Sequence, residues 1–205
     1  MFKEMLFDTI SLVTILNPIA GAAIMLSLVK YSEIPAVSKK ASITIFIGGI
    51  LTVLSGGFLL KLFGINIPSI KAIGGVVLLI IALHMIQGEN ISPTNSTQAE
   101  HDAASQKDDV AIIPLAIPIL FGPGVITTLI VLSEKSVGIE HKIILLGSVL
   151  LSSIFVYITL RNAHYISKFL GVNGLKIVTR VMGLIIGAIS FLFLVGGVKE
   201  LWIGG

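Results

Sequence analysis

Apolar residues in this chain run in long charge-free blocks, without the alternation of a strand or the narrow stripe of a surface helix. Six blocks stand out: Thr9–Val29, Ala41–Leu60, Ala72–Gly88, Val110–Ser133, Ile143–Leu160 and Val181–Val198. A helix crosses the hydrocarbon core with about 17–25 predominantly apolar residues, so each block can span. The expected fold class is all-α transmembrane, a six-helix bundle. Lys61 and Lys71 are expected to bound a short glycine-containing turn, and Arg161 to Arg180 a longer amphipathic one.

One interval breaks the pattern. Residues 89–109 hold five acidic side chains against Lys107 among Ser, Thr, Asn and Gln, and are expected to form a flexible aqueous loop. The loop divides the chain into a first three-helix unit at 1–88 and a second at 110–205. Three crossings per unit would insert the second upside down relative to the first, as in inverted-repeat transporters. The halves also align in order. Asn17-Pro18 matches Gly122-Pro123, Phe63-Gly64-Ile65-Asn66 matches Leu170-Gly171-Val172-Asn173, and Lys71-Ala72-Ile73-Gly74 matches Arg180-Val181-Met182-Gly183.

The first and fourth segments carry residues that a continuous helix does not want. Pro18 and Pro123 lack an N–H and displace the carbonyls of Thr14 and Ile119, and each biases the preceding residue, Asn17 or Gly122, away from helix. Pro114 and Pro118 extend the distortion of the fourth segment towards the loop. Irregular backbone at membrane depth survives where it is buried in protein or lines a wet cavity. Both helices are therefore expected to be discontinuous, and their breaks to form a substrate site. Each restarted half-helix would offer unpaired N–H groups and a positive dipole end to a carboxylate. The freed carbonyls and the Asn17 amide would accept an ammonium.

Candidate substrate-binding residues are Thr14, Asn17, Pro18, Gly21, Gly122, Pro123, Gly124, Thr127 and Thr128. Two ordinary readings compete. Intramembrane threonines commonly bond their own preceding carbonyl, and small residues such as Gly21 and Gly124 commonly serve close helix packing. The apolar cores hold no Asp, Glu or Arg, which suits a small solute without net charge. Asp8 and His84 are the candidate proton carriers, against simpler roles as a helix-end charge and an interfacial hydrogen-bonder. Lys71 and Arg180 most simply extend to the headgroups.

Composition agrees: 55% of residues are hydrophobic and 12% charged, with a mean hydropathy of +1.02. The net charge of +3 comes without a dense basic cluster, so a nucleic-acid partner is not expected. With no cysteine, thiolate metal sites and cysteine nucleophiles are excluded, and no phosphate loop or HExxH helix is present. Neither a cofactor nor enzymatic chemistry is expected. Lys and Arg number six on the N-terminal side of the predicted topology and eight on the other, which places both termini outside the cytoplasm by the positive-inside rule.

At Asn17-Pro18-x-x-Gly21, Ile73-Gly74-Gly75, Pro114-Leu115-Ala116-Ile117-Pro118, Gly122-Pro123-Gly124 and Arg180-Val181-Met182-Gly183-Leu184 the sequence resembles the MarC family of integral membrane proteins. That family includes small neutral amino acid transporters of the SnatA type. The resemblance implies two inverted three-helix repeats in a cell membrane and transport of glycine or alanine with protons. Where the family often continues the first motif with another proline and an aromatic, Ala22-Ala23-Ile24-Met25 stand here. An exporter of another small solute and a non-transporting accessory protein are the alternative readings.

Overall fold

A computed structural model describes residues 2–88, 110–135 and 138–203; the 89–109 loop expected from the sequence lies outside the described residues. Every element among them is helical. Helix α1 (Phe2–Leu16) and α2 (Pro18–Leu28) form the first span, interrupted at Asn17. A 3-10 turn (Tyr31–Glu33) leads into α3 (Ile34–Leu62), followed by α4 (Ile67–Gln87). A widened helix α5 (Ala111–Leu120) and α6 (Pro123–Lys135) meet at a 61° bend, and α7 (Ile139–Arg161) and α8 (Ala163–Ile203) complete the bundle. By length and composition five helices can cross a membrane, and the bent pair makes a sixth.

Local sequence sets most of the boundaries. α3 ends at Gly64, whose φ of 64° lets Ile65 N–H reach back to the Leu60 carbonyl at 2.9 Å. Asn66 then caps α4 by accepting from Ser69 N–H at 2.9 Å, with Pro68 in the first turn and Gly88, φ 78°, closing the far end. The turn thus lies at 63–66, and Lys71 stands inside α4 instead of bounding it. Gly171 (φ 60°, ψ −178°) breaks α8, leaving a short helix at 163–170 and a long span, Asn173–Ile203. The sixth span is longer than its charge-free block because Lys176, Arg180, Lys199 and Glu200 ride at its ends.

The helices face one another through Leu12, Leu16, Met25, Leu78, Met85, Leu115, Leu120, Leu129, Leu145 and Ile186, all buried. Outward they show Leu51, Leu54, Phe58, Ile80, Ile143, Leu184 and Leu192. Apolar residues on all sides of a helix mark a lipid environment. α4 packs along α8 and α3 along α7; the α1–α2 span packs on α7 and α8, and the α5–α6 span on α3 and α4. Serines stitch the bundle across helices: Ser148 Oγ donates to the Met5 carbonyl (3.1 Å) and Ser133 Oγ to that of Val53 (3.1 Å).

At the end where α1 begins, Glu4 meets His141 at 2.7 Å, joining α1 to α7. At the same end Lys71 pairs with Glu200, joining α4 to α8. Lys71 is only 7% exposed, so it does not extend to the headgroups as expected from the sequence; a partner 129 residues away keeps it inside. Arg180 is exposed and lies beside Gly88 at the opposite end.

Candidate functional site

The first break is one residue wide. Asn17 has φ 45° and ψ 61°, a left-handed conformation that asparagine tolerates better than most side chains. Its N–H still closes α1 on the Val13 carbonyl (3.0 Å) and its carbonyl receives Gly21 N–H (3.1 Å). The side chain does the rest. Oδ1 accepts from Ala20 N–H at 3.4 Å, capping α2, and Nδ2 donates to Met85 Sδ at 3.8 Å. Pro18 then sits at the first position of α2, where its missing N–H costs nothing.

The second break is broader. Ile113 and Ile117 are extended, each before a proline, and the Ile113–Pro114 and Ile117–Pro118 peptides are cis. Phe121 N–H reaches five residues back to the Ala116 carbonyl (2.7 Å). The Gly122 carbonyl starts α6 by receiving Val125 and Ile126 N–H at 3.0 and 3.2 Å.

The two breaks open on one cavity of about 220 Å³. Asn17, Ala20 and Gly21 line one side, Pro118, Ile119, Gly122, Pro123 and Gly124 the other, and Ile81 and Met85 of α4 bridge them. Both α2 and α6 begin at this cavity, so two helix N-termini with positive dipole ends border the same space. Among the described residues, no ionisable side chain lines it. A cavity of this size accommodates a few waters or one small solute.

Of the residues singled out in the sequence, Asn17, Gly21, Gly122, Pro123 and Gly124 are brought together here, and Pro18 is buried beside them. The threonines are not. Thr14 Oγ1 donates to the Ile10 carbonyl (2.7 Å), Thr127 to Pro123 (2.9 Å) and Thr128 to Gly124 (2.8 Å). Each hydroxyl is thus engaged by its own helix, one turn back. The Ile119 carbonyl belongs to a lining residue and that of Thr14 does not, while the Asn17 amide, offered for an ammonium, is engaged in capping. Asp8 lies half-buried in α1 and His84 on the exposed side of α4; neither lines the cavity. Met85, Ile81, Ile24 and Leu120 are lining residues that the sequence did not announce. They have helical spacing, like any core position, and carry no local signal.

A model of the MarC family of integral membrane proteins matches residues 2–202. A UPF0056 membrane protein of Aquifex aeolicus is 36% identical over 195 residues, covering 94% of this chain and 91% of its own length. One from Methanocaldococcus jannaschii is 34% identical, with 92% and 93% covered, and YvbG of Bacillus subtilis is 29% identical, with 98% and 97% covered. No solved structure matches the chain. With the family match running over nearly every described residue, including both breaks, this chain belongs to the MarC family of integral membrane proteins.

Proposed function

We propose that this protein is a secondary transporter of small neutral amino acids, glycine and alanine, working by alternating access around its two broken helices. The observation that carries the reading is the meeting of two helix starts at one small cavity that, among the described residues, no ionisable side chain lines. The positive dipole ends of α2 and α6 suit a carboxylate, although Ala20 and Val125 N–H are already engaged, and the backbone carbonyls beside them suit an ammonium. Gly21, Gly124 and Ala20 leave the space that a solute needs, while Ile24, Ile81 and Leu120 limit it to a small one.

The two halves act as inverted repeats. Support comes from the neighbours of each span, which stay the same when the halves are exchanged: the first span lies on α7 and α8 as the fourth lies on α3 and α4. The glycines aligned in sequence, Gly64 and Gly171, also share positive φ angles of 64° and 60°. In this reading both termini lie outside the cytoplasm. Proton coupling rests on the resemblance alone, since Asp8 and His84 stand apart from the cavity.

The test is uptake of labelled glycine and alanine into proteoliposomes of pure protein, with and without an imposed proton gradient. Saturable uptake that competes between the two and falls on Gly124→Leu supports the reading. Solute-independent leakage, or flux unchanged by Gly124→Leu in a correctly folded variant, removes it.

A further inference from the structure

At the end opposite the ion pairs, α7 stops at Arg161 and the short helix 163–170 runs between Asn162 and the break at Gly171. Its residues sort by exposure: Ala163 is buried, whereas His164, Tyr165, Lys168 and Phe169 are exposed. Tyr165 and Phe169 form one stripe four residues apart, and His164 and Lys168 form the next. Aromatic and basic side chains side by side are what the membrane–water interface selects. Tyr31, from the turn before α3, meets the His164 ring edge-on with centroids 5.2 Å apart. Between them lies a pocket of about 270 Å³ lined by Tyr31, Ile34, Arg161, Asn162, His164 and Tyr165.

Among the described residues the charge at this end is one-sided. Lys168, Lys176 and Arg180 accompany Arg161, and Glu33 is the one carboxylate that the described residues place here. Glu33 Oε2 is occupied in accepting from Lys30 N–H at 2.9 Å. Asn162 Nδ2 is likewise engaged, donating to the Ile158 carbonyl (2.7 Å). The guanidinium of Arg161, with five donors, and the hydroxyls of Tyr31 and Tyr165 remain to face an oxygen-rich anion. A basic pocket between helices at headgroup level suits a lipid phosphate.

We propose that this pocket binds the phosphate of an anionic phospholipid, with 163–170 lying in the interface and its Tyr165–Phe169 stripe against the acyl chains. The site is separate from the cavity at the breaks and does not depend on what is transported. Native mass spectrometry of the purified full chain, exchanged from phosphatidylglycerol or phosphatidylcholine micelles into detergent, reads the retained lipid. Wild type is expected to retain phosphatidylglycerol and not phosphatidylcholine. Arg161→Gln is expected to weaken retention about tenfold, the loss of one charge-assisted contact. Arg161→Lys is expected to fall between, because it keeps the charge and loses the planar fork. Lys39→Gln, which removes one charge from the same end outside the pocket, should leave retention unchanged. Equal retention of both lipids, or equal loss in Lys39→Gln, overturns the proposal. Displacement of the lipid by soluble glycerol phosphate at the same concentration would assign the pocket to a free phosphate and overturn it as a lipid site.

Discussion

Glycine serves two opposite purposes in this bundle, and the seam between α4 and α8 and the cavity at the breaks show them side by side. In the seam, a Cβ on Gly75 would lie 2.5 Å from Leu194 N, and one on Gly197 would lie 2.6 Å from Ala72 N. Backbone meets backbone there and nothing can move aside. At the breaks, a Cβ on Gly21 would meet Leu120 Cδ2 at 2.5 Å, and one on Gly124 would meet Leu78 Cδ2 at 2.7 Å. The obstacle in both cases is the tip of a side chain; Leu120 lines the cavity, whereas Leu78 is a buried core residue behind it. The seam holds two helices at fixed distance; at the first break Gly21 leaves room beside a side chain that lines the cavity.

Substitution separates the two purposes. Gly75→Ala should have the largest effect on the fold, a loss of about 3 kcal/mol because overpacking against backbone cannot relax. Thermal unfolding in detergent, with chain integrity followed by size exclusion, checks it; a stable Gly75→Ala would mean that the seam can part. Gly21→Ala should cost less stability, about 1 kcal/mol, because Leu120 can turn away. Its glycine flux should nevertheless fall roughly tenfold, the usual penalty for one misplaced methyl group in a small site. Adding Leu120→Ala should restore much of the flux, and a pair of substitutions acting independently would show that the two residues do not share a cavity.

Asn17 sharpens the comparison further, since it holds the first break open without any glycine. Asn17→Ala should cost about 1–2 kcal/mol, from the lost cap and a Cβ-bearing residue without asparagine's tolerance of the left-handed region. Asn17→Gly should cost only a few tenths of a kcal/mol, keeping the turn and losing the cap. Chemical denaturation of the two variants distinguishes a structural cap from a residue needed for the solute; if Asn17→Gly is stable and still inactive, the amide touches the substrate. An effect smaller than that of Gly75→Ala is expected at the other kind of contact in the seam. Glu200 is 49% exposed, so Glu200→Gln should lower stability by about 1 kcal/mol or less, read from the unfolding midpoint at low and high salt.

Much of the cavity was legible because proline and asparagine carry their backbone consequences with them. Pro18 and Pro123 fix where a helix must restart, and Asn17 is a residue able to turn left-handed just before one. The threonines misled for an equally local reason. Thr14, Thr127 and Thr128 sit near the breaks in number, yet each finds its own helix's carbonyl first. Lys71 misled because its partner Glu200 is remote in sequence, and no periodicity reports a contact between helices. Met85 was invisible as a site residue for the same reason: only the packing of α4 across both breaks brings its sulfur to Asn17.

The Glu4–His141 contact and the Lys71–Glu200 ion pair fasten two different couples of helices, and both lie at the rim where α1 begins. A molecule leaving the bundle past that rim must slip between helices whose tips are tied by polar side chains.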